Sequence, residues 1–346
     1  MKAPGQEIRG VLPSMRITSS VTRCVFALMS LATITMFSLA ARAEPFAARA
    51  CGGVDYNAIV LDIIKALPNG GGYSRGGSFQ LPTVTAHNVG GDRWEMRAFD
   101  GFPSHCASAT YAVYARLVAV LQNSGSISLS AEQILAFETK KRMPDGTTLV
   151  DGQGTFQIFN ANGAGVAAFL KHTGTGMSFR DDKLLYARPG DFLKLFWSEN
   201  VGASEKGHQV IYTGHRVMDG RDMVCFWSSQ HQNKKKRGGR TEALYFPAEE
   251  GGKVYDGYGE VCRPREDIKE MVFSRVTCMQ HLAAGLDDMH ARAQTRLGAP
   301  YIFVDDYLYT LRNKSSDQAA LDRMYGILAA PDMLANLAAE AQGETR

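Results

Sequence analysis

The sequence predicts an α+β fold in which helices and strands are segregated along the chain. Two blocks of helical periodicity, before residue 175 and after residue 280, flank a block of short β-rich runs. Turn residues such as Pro189-Gly190 and Asp219-Gly220 separate these runs, as they do in an antiparallel meander. Because the strands do not alternate with helices, this order favours α+β over a doubly wound sheet.

Apolar residues three and four positions apart predict the helices of the N-terminal half, and polar caps mark where they start. Asp55 is placed to cap the first helix, and Ser130 with Gln133 has the pattern of a capping box for the third. Between the first and second helices, the sequence up to about residue 100 predicts a loop-rich stretch. The predicted helices are residues 54–67, a helix that starts near Ser104, residues 128–139, and a short helix at the end of residues 160–174.

Four later runs are rich in β-branched and aromatic residues and predict the strands of the meander. A helical pattern returns from about residue 280. We therefore expect a main domain over residues 44–280 and a helical C-terminal extension over residues 281–346. The predicted strands are residues 191–198, 208–217, 222–230 and 270–277.

The first 43 residues have the features of a secretory signal peptide. Three arginines precede the apolar run at 24–41, and small residues at Ala41 and Ala43 occupy the two positions that a signal peptidase reads. Cleavage after Ala43 is expected; an uncleaved membrane anchor is the alternative, since the run approaches the length of a span. No second long apolar run follows, so we expect an exported, periplasmic or secreted protein without stable membrane insertion after cleavage.

Removing residues 1–43 also removes the apparent positive charge of the chain. That segment holds five basic residues and one acidic residue, so the remainder holds 33 basic and 34 acidic residues, a net charge of −1. The one strongly basic stretch left, NKKKRGGR at 233–240, is typical of a solvated hairpin tip. The charge therefore gives no support to a nucleic-acid partner.

Cys106 lies in the stretch GFPSHCASATYAVYARL, where a turn gives way to the second predicted helix. Five cysteines follow the signal peptide, and an odd number in an exported protein leaves at least one unpaired. A helix N-terminus lowers the pKa of a thiol, and a neighbouring imidazole lowers it further. The setting suits a nucleophile, but a buried packing cysteine or half of a disulfide also fits this stretch read alone.

Residues 188–214 form a second motif, RPGDFLKLFWSENVGASEKGHQVIYTG. A Pro-Gly turn starts an apolar strand, a polar loop follows, and His208 opens the next strand. Cys106 at a helix start, then PGD at 189–191, then His-x-x-hydrophobic-Tyr-x-Gly at 208–214, resembles the pattern of NlpC-type and CHAP-type cell-wall cysteine hydrolases of the papain-like superfamily. The likeness covers about residues 106–230.

The resemblance implies a papain-like, NlpC-like fold, in which the nucleophile at a helix start packs on the antiparallel meander. It also implies that His208 is the base for Cys106. Two departures stand out: His105-Cys106-Ala107 replaces the usual Asp-Cys-Ser, and an insertion lengthens the spacing from the cysteine to the histidine.

The residue that orients the imidazole is expected on the next strand, CFWSSQ at 225–230. Gln230 is the first choice because its side chain offers an acceptor, and Ser228 or Ser229 is the alternative. The two asparagines of the insertion have two interpretations: they line the substrate cleft, or they belong to a turn that leads into a helix. The residues considered for the substrate cleft are His105, Asn160 and Asn162.

With Cys106 assigned as the nucleophile, four cysteines remain for up to two disulfides. Cys262 and Cys278 are close in sequence, which favours that pair and leaves Cys51 with Cys225. No cofactor or metal is expected, since the chain lacks H-E-x-x-H, C-x-x-C and the usual phosphate-binding loops. A scattered metal site is the remaining alternative, with the ligands His105, Cys106, His208 and Cys225.

The expected function is an exported cysteine hydrolase that cleaves an amide bond, with peptidoglycan or a peptide as substrate. The cell-wall substrate comes from the resemblance and the signal peptide, whereas the residues themselves indicate only a Cys–His site. One rival is a secreted binding or structural protein in which Cys106 is buried or disulfide-linked. A second is a secreted effector or toxin that uses the same site on a protein.

Overall fold

The structure is a computed structural model that describes the chain from Cys51 onward. Every described residue belongs to one compact unit of the chain, Ala48–Arg346. The predicted signal peptide, the basic run at 233–240 and most of the predicted extension lie outside the described residues. The structure describes residues 51–74, 80–142, 148–150, 155–160, 165–198, 205, 207–231, 246–247, 256–297 and 328.

The described part of the chain holds six α-helices and twelve strands, which we number in chain order. The helices are α1 (Tyr56–Ala66), α2 (Cys106–Asn123), α3 (Ala131–Leu135), α4 (Thr155–Phe159), α5 (Gly165–Thr173) and α6 (Leu282–Leu297). The strands are β1 (Gly70–Gly71), β2 (Thr83–Gly90), β3 (Arg93–Phe99), β4 (Lys140–Arg142), β5 (Thr148–Val150), β6 (Gly176–Arg180), β7 (Phe192–Phe196), β8 (His208–Met218), β9 (Arg221–Gln230), β10 (Phe246–Pro247), β11 (Gly257–Pro264) and β12 (Glu270–Val276).

Eight of these strands form one antiparallel sheet, so the predicted α+β class is confirmed. The order along the sheet is β1-β11-β9-β8-β7-β12-β6, with β10 paired to β11. Strands β7, β8 and β9 are the predicted meander, and each pairs antiparallel with the next. The predicted caps are also present: Asp55 accepts from the Ala58 N–H at 3.0 Å, and Ser130 forms a capping box with Gln133.

The prediction of a loop-rich stretch up to residue 100 is wrong, because strands β2 and β3 form a hairpin there. Within the hairpin only Val84 and Met96 are almost wholly buried, so the alternation of apolar residues is too weak to reveal two strands. Polar bonds attach the hairpin to α2 instead. The Asn123 side chain accepts from the Met96 N–H at 2.9 Å and donates to the Met96 carbonyl at 3.0 Å.

Helix α2 is the central helix, and fourteen of its eighteen residues are buried. The Tyr114 ring packs edge-on against Phe169 and Phe192, which connects α2 to α5 and to the sheet. Tyr111 donates a hydrogen bond to the Phe137 carbonyl at 2.9 Å. These contacts hold α2 in a fixed position, and its N-terminal residue is Cys106 rather than the predicted Ser104.

The Asp191 carboxylate of the PGD motif is the centre of a second buried contact group. It accepts from the Asn57 side chain at 2.9 Å, from the Arg188 N–H at 2.8 Å, and from Arg275 at 2.8 and 2.7 Å. Gly190 has φ +95°, and a Cβ there would lie 2.6 Å from the Asn57 carbonyl. The motif therefore joins the start of β7 to α1 and to β12.

Both disulfides differ from the predicted pairing. Cys225 is bonded to Cys262, and Cys51 is bonded to Cys278. Cys225 and Cys262 are direct partners across β9 and β11. Cys278 follows β12, whereas Cys262 is in β11. Strands β9, β8 and β7 separate β11 from β12 in the sheet, so closeness in sequence does not bring the two cysteines together. Among the described helices, none is long and apolar enough to cross a membrane.

Candidate active site

Cys106 is the first residue of α2 and the free cysteine of the described part of the chain. The predicted exclusion of Cys106 from the disulfides is confirmed. Its side chain is half-buried, and the first turn of α2 contains no acidic residue that would neutralise the helix N-terminus. The thiol therefore lies at the positive end of an eighteen-residue helix and is not part of a disulfide.

The pKa of the Cys106 thiol lies well below its ordinary value. Burial alone would raise this pKa, because a thiolate is poorly solvated inside a protein. Hydrogen bonds from the side chains of His105 and His208, together with the electrostatic attraction of the thiolate to the two rings, outweigh burial. A cysteine with this environment is ionised at a lower pH than a free thiol, which is the property a nucleophile needs.

His105 caps α2 and contacts the thiol at the same time. Its Nδ1 atom accepts from the Ser108 N–H at 3.2 Å, and the Ser108 hydroxyl accepts from the His105 N–H at 3.0 Å. Because Nδ1 is an acceptor, the proton of the neutral ring is on Nε2. The ring is thus oriented by the helix, which makes His105 an auxiliary donor to the thiol rather than a mobile base.

His208 begins β8 opposite Leu195 of β7, and its side chain is buried. Its ring packs near Phe226 and Trp197, with centroid distances of 5.8 and 6.3 Å. Its Nε2 atom is buried and has no well-aligned hydrogen-bond partner within the described residues. The imidazole interacts with the Cys106 thiol, and its Nε2 atom has no hydrogen-bond partner among the described residues.

The structure places the three candidates for the orienting residue differently. Ser228 donates to the Gln209 carbonyl at 2.8 Å, which uses its proton and leaves its oxygen able to accept. Gln230 donates to the Gly259 carbonyl at 3.1 Å, while its Oε1 atom is buried without a partner among the described residues. Ile211 pairs with Trp227, so His208 and Gln230, three positions away on each strand, lie at the same end of the β8–β9 pair.

Ser229 has another role, which is to attach the nucleophile segment to the sheet. The Ser104 hydroxyl donates to Ser229 Oγ at 2.7 Å, and Ser229 donates back to the Ser104 carbonyl at 3.3 Å. Both residues are fully buried. Ser229 therefore positions the residues just before Cys106, and no hydrogen bond joins it to His208 in the described structure.

The predicted cleft residues of the insertion receive little structural support. Asn160 ends α4, where its N–H donates to the Phe156 carbonyl at 2.8 Å. No hydrogen bond connects its side chain to Cys106 or His208 in the part of the chain that the structure describes. Asn162 lies outside the described residues.

The scattered metal site considered from the sequence is not formed, because the Cys225 sulfur is bonded to Cys262. Among the described residues, one group has ligand atoms close enough for a metal: Cys51, Cys278 and His281, within 4.8 Å of one another. The sulfurs of Cys51 and Cys278 are joined in a disulfide, and His281 Nδ1 lies 3.1 Å from the Gly174 carbonyl. These atoms are therefore already engaged.

Two residues near the thiol were not identified from the sequence, Lys194 and Gln209. Lys194 interacts electrostatically with Cys106, and Gln209 is its direct partner across β7 and β8. The signal that could have identified Lys194 is a single lysine inside the apolar strand FLKLF. Gln209 follows His208 and resembles any polar residue at a strand start, so the sequence carries no comparable signal for it.

The geometry thus brings Cys106, His105 and His208 together and places Gln230 at the same end of the strand pair as His208. Comparison of the chain with protein-family models, with curated proteins and with solved structures gives no match in any of the three sets.

Proposed function

We propose that this protein is an exported cysteine hydrolase that cleaves an amide bond, with peptidoglycan as its substrate. The observation that carries the proposal is Cys106: a free thiol at a helix N-terminus, with its pKa lowered by two imidazoles. Export and the cell-wall substrate rest on the predicted signal peptide and on the resemblance to NlpC-type and CHAP-type hydrolases. The same resemblance is the basis for proposing a papain-like, NlpC-like version of the α+β fold.

The chemistry begins with proton transfer from the Cys106 thiol to His208. The thiolate attacks the carbonyl carbon of the amide, and the carbonyl oxygen becomes an oxyanion. The N–H groups of Cys106 and Ala107 are free of intrahelical bonds because they belong to the first turn of α2, so they are suited to bind this oxyanion. The ring of His105 remains fixed by Ser108 and stabilises the thiolate before the attack.

The second half of the reaction regenerates the thiol. His208, now protonated, gives its proton to the leaving amine as the C–N bond breaks, which leaves a thioester on Cys106. His208 then accepts a proton from water, and the resulting hydroxide equivalent attacks the thioester. The products are an amine, a carboxylic acid and the free enzyme. Gln230, through its unpartnered Oε1, is the proposed acceptor that orients the imidazole.

The test is incubation of the purified protein with purified peptidoglycan, followed by mass analysis of the released fragments. Wild type is expected to produce fragments with new amino and carboxyl ends. Cys106→Ala is expected to lose this activity by about 10⁴-fold or more, the scale seen when a nucleophile is removed. An exposed control, Lys183→Met, keeps the activity, because its side chain is exposed in the turn between β6 and β7.

Release of no fragments by a folded wild-type protein contradicts the peptidoglycan assignment. Cleavage of a protein such as casein by wild type, but not by Cys106→Ala, would instead support the effector alternative. Equal activity of wild type and Cys106→Ala on both substrates would refute a catalytic thiol.

A further inference from the structure

We propose that Lys194 and Gln209 form a carboxylate-binding subsite beside Cys106, so that the preferred acyl compound carries a free carboxylate close to the reacting carbonyl. That such a compound is a substrate rests on the proposed hydrolase function, whereas binding of a carboxylate next to the thiol does not. The two residues lie on neighbouring strands and are not used by the chemistry described above.

Lys194 is a basic side chain at a buried position. Its side chain is 9% exposed, and no hydrogen bond or ion pair within contact distance joins it to a described residue. Burial lowers the pKa of Lys194, while the Cys106 thiolate and Glu205 act in the opposite direction. The Glu205 carboxylate accepts hydrogen bonds from the N–H groups of Trp197 and Gly207, at 3.2 and 2.7 Å.

The backbone beside His208 is shaped to let the lysine stem pass. Gly207 has φ +76°, and a Cβ at this position would lie 2.6 Å from Lys194 Cε. A Cβ at 207 would therefore require the end of the lysine stem to shift. Lys194 therefore runs directly beside the residue that precedes His208, which places it next to the candidate catalytic pair.

Gln209 supplies the second polar group. It is the direct partner of Lys194 across β7 and β8, and such partners point to the same face of a sheet. Its side chain is fully buried, and neither Nε2 nor Oε1 has a hydrogen-bond partner in the described part of the chain. Buried polar side chains without partners are rare, since each costs free energy of folding.

A carboxylate is the ligand class that interacts favourably with both Lys194 and the Gln209 Nε2 atom. It neutralises the ammonium of Lys194 and accepts from the amide Nε2 of Gln209, whereas a cationic group would be repelled. The Cys106 thiolate offsets the lysine charge only in the resting state, since it loses its charge when it forms the thioester. A substrate carboxylate would then keep Lys194 paired through the acyl-enzyme stage.

The test measures alkylation of Cys106 by iodoacetate and by iodoacetamide, which are nearly the same size and differ in charge. In both, the sulfur displaces iodide, so no turnover or natural substrate is needed. The ratio of the iodoacetate rate to the iodoacetamide rate cancels any change in the fraction of thiolate. In Lys194→Met this ratio is expected to fall by about tenfold, as for loss of one unit charge at a partly buried site.

Lys183→Met is the matched control, because it removes the same charge from an exposed position, and its ratio should equal that of wild type. Gln209→Glu provides a second variant. Its carboxylate lies opposite Lys194 and pairs with the lysine, so the ratio of the iodoacetate rate to the iodoacetamide rate should also fall. Circular dichroism and denaturation confirm that each variant is folded.

If Lys194→Met slows both reagents equally and leaves the ratio unchanged, Lys194 only supports the thiolate and the subsite is refuted. If the ratio falls although the protein releases nothing from peptidoglycan, the subsite is supported and the proposed function fails. The two failures are therefore distinguishable.

Discussion

Two buried polar groups in this protein differ in how completely their polar atoms are satisfied. In the first, the Asp191 cluster, the carboxylate is fully buried and both of its oxygens accept hydrogen bonds. The partners come from α1, from the turn before β7 and from β12. All of them are parts of the same chain, so the cluster is complete without any ligand.

The second, the thiol cluster, consists of Cys106, Lys194, His208, Gln209 and Gln230. His208 Nε2, both polar atoms of the Gln209 side chain and Gln230 Oε1 are buried without partners among the described residues. Buried polar atoms normally find partners, and exceptions concentrate where a protein binds or reacts. The Asp191 cluster is therefore complete within the chain, whereas the thiol cluster leaves four buried polar atoms without partners among the described residues, as the proposed carboxylate subsite requires.

This contrast is tested most strongly by His208→Ala. Loss of the imidazole removes a hydrogen bond and a positive charge from the thiol, so the Cys106 pKa rises. Alkylation requires the thiolate, so its rate climbs as pH rises through that pKa, and in the variant the climb should move to higher pH. Peptidoglycan hydrolysis should fall by about 10²–10⁴-fold, the usual contribution of a general base.

The alkylation profile is measured with iodoacetamide over a range of pH, and denaturant unfolding is measured in parallel. A site residue should change reactivity far more than stability. An unchanged alkylation profile in His208→Ala would contradict the proposed Cys–His pair. Lys183→Met serves again as the unaffected control.

Asp191→Asn should produce the largest loss of stability. The substitution keeps the size of the side chain but leaves the Arg275 charge, 2.7 Å away, without a counter-charge in a mostly buried setting. Removal of one partner of a buried ion pair costs about 3–5 kcal/mol of unfolding free energy, measurable by chemical denaturation. Asp62→Asn, in an exposed pair with Lys65, is the control and should change little. Similar effects of the two substitutions would show that the Asp191 cluster is not structural.

Gln209→Met should change the unfolding free energy in the opposite direction to Asp191→Asn. It replaces two unpartnered buried polar atoms by apolar atoms of similar shape, so the unfolding free energy should stay constant or rise by up to about 1–3 kcal/mol. The matched control is Gln122→Met, because the Gln122 amide bonds the Trp94 and Leu129 backbones at 2.7 and 2.8 Å. Gln122→Met should be destabilising. Equal losses in the two variants would mean that Gln209 is structurally satisfied.

The sequence predicts much of this architecture because the relevant signals are local. Helix caps such as Asp55 and Ser130, and the strands before and after His208, depend on residues within one or two turns of each other. The position of Cys106 at a helix start was predicted to within two residues. The cysteine pairing was not, because it depends on β12 crossing to the far side of β7, which no local pattern encodes.

The site residues that the sequence does not reveal depend on contacts between distant parts of the chain. Gln209 matters because Lys194 lies opposite it on another strand, and strand register is a property of the folded sheet. The link between Ser229 and Ser104 has no signal in the sequence, because its hydrogen bonds join residues 125 positions apart. Charge and hydrogen-bonding capacity can be seen in a sequence, but what they act on depends on tertiary contacts.

The smallest predicted effect separates the two roles of His105. His105→Asn keeps a side-chain acceptor for the Ser108 N–H but loses the imidazole that contacts the thiol, whereas His105→Ala loses both. Stability should therefore be close to wild type in the asparagine variant and lower by about 1 kcal/mol in the alanine variant. In both, the alkylation profile should move to higher pH, because the thiol loses one of the two side chains that lower its pKa. If His105→Asn leaves the profile unchanged, His105 acts only as a cap, and His208 alone sets the reactivity of Cys106.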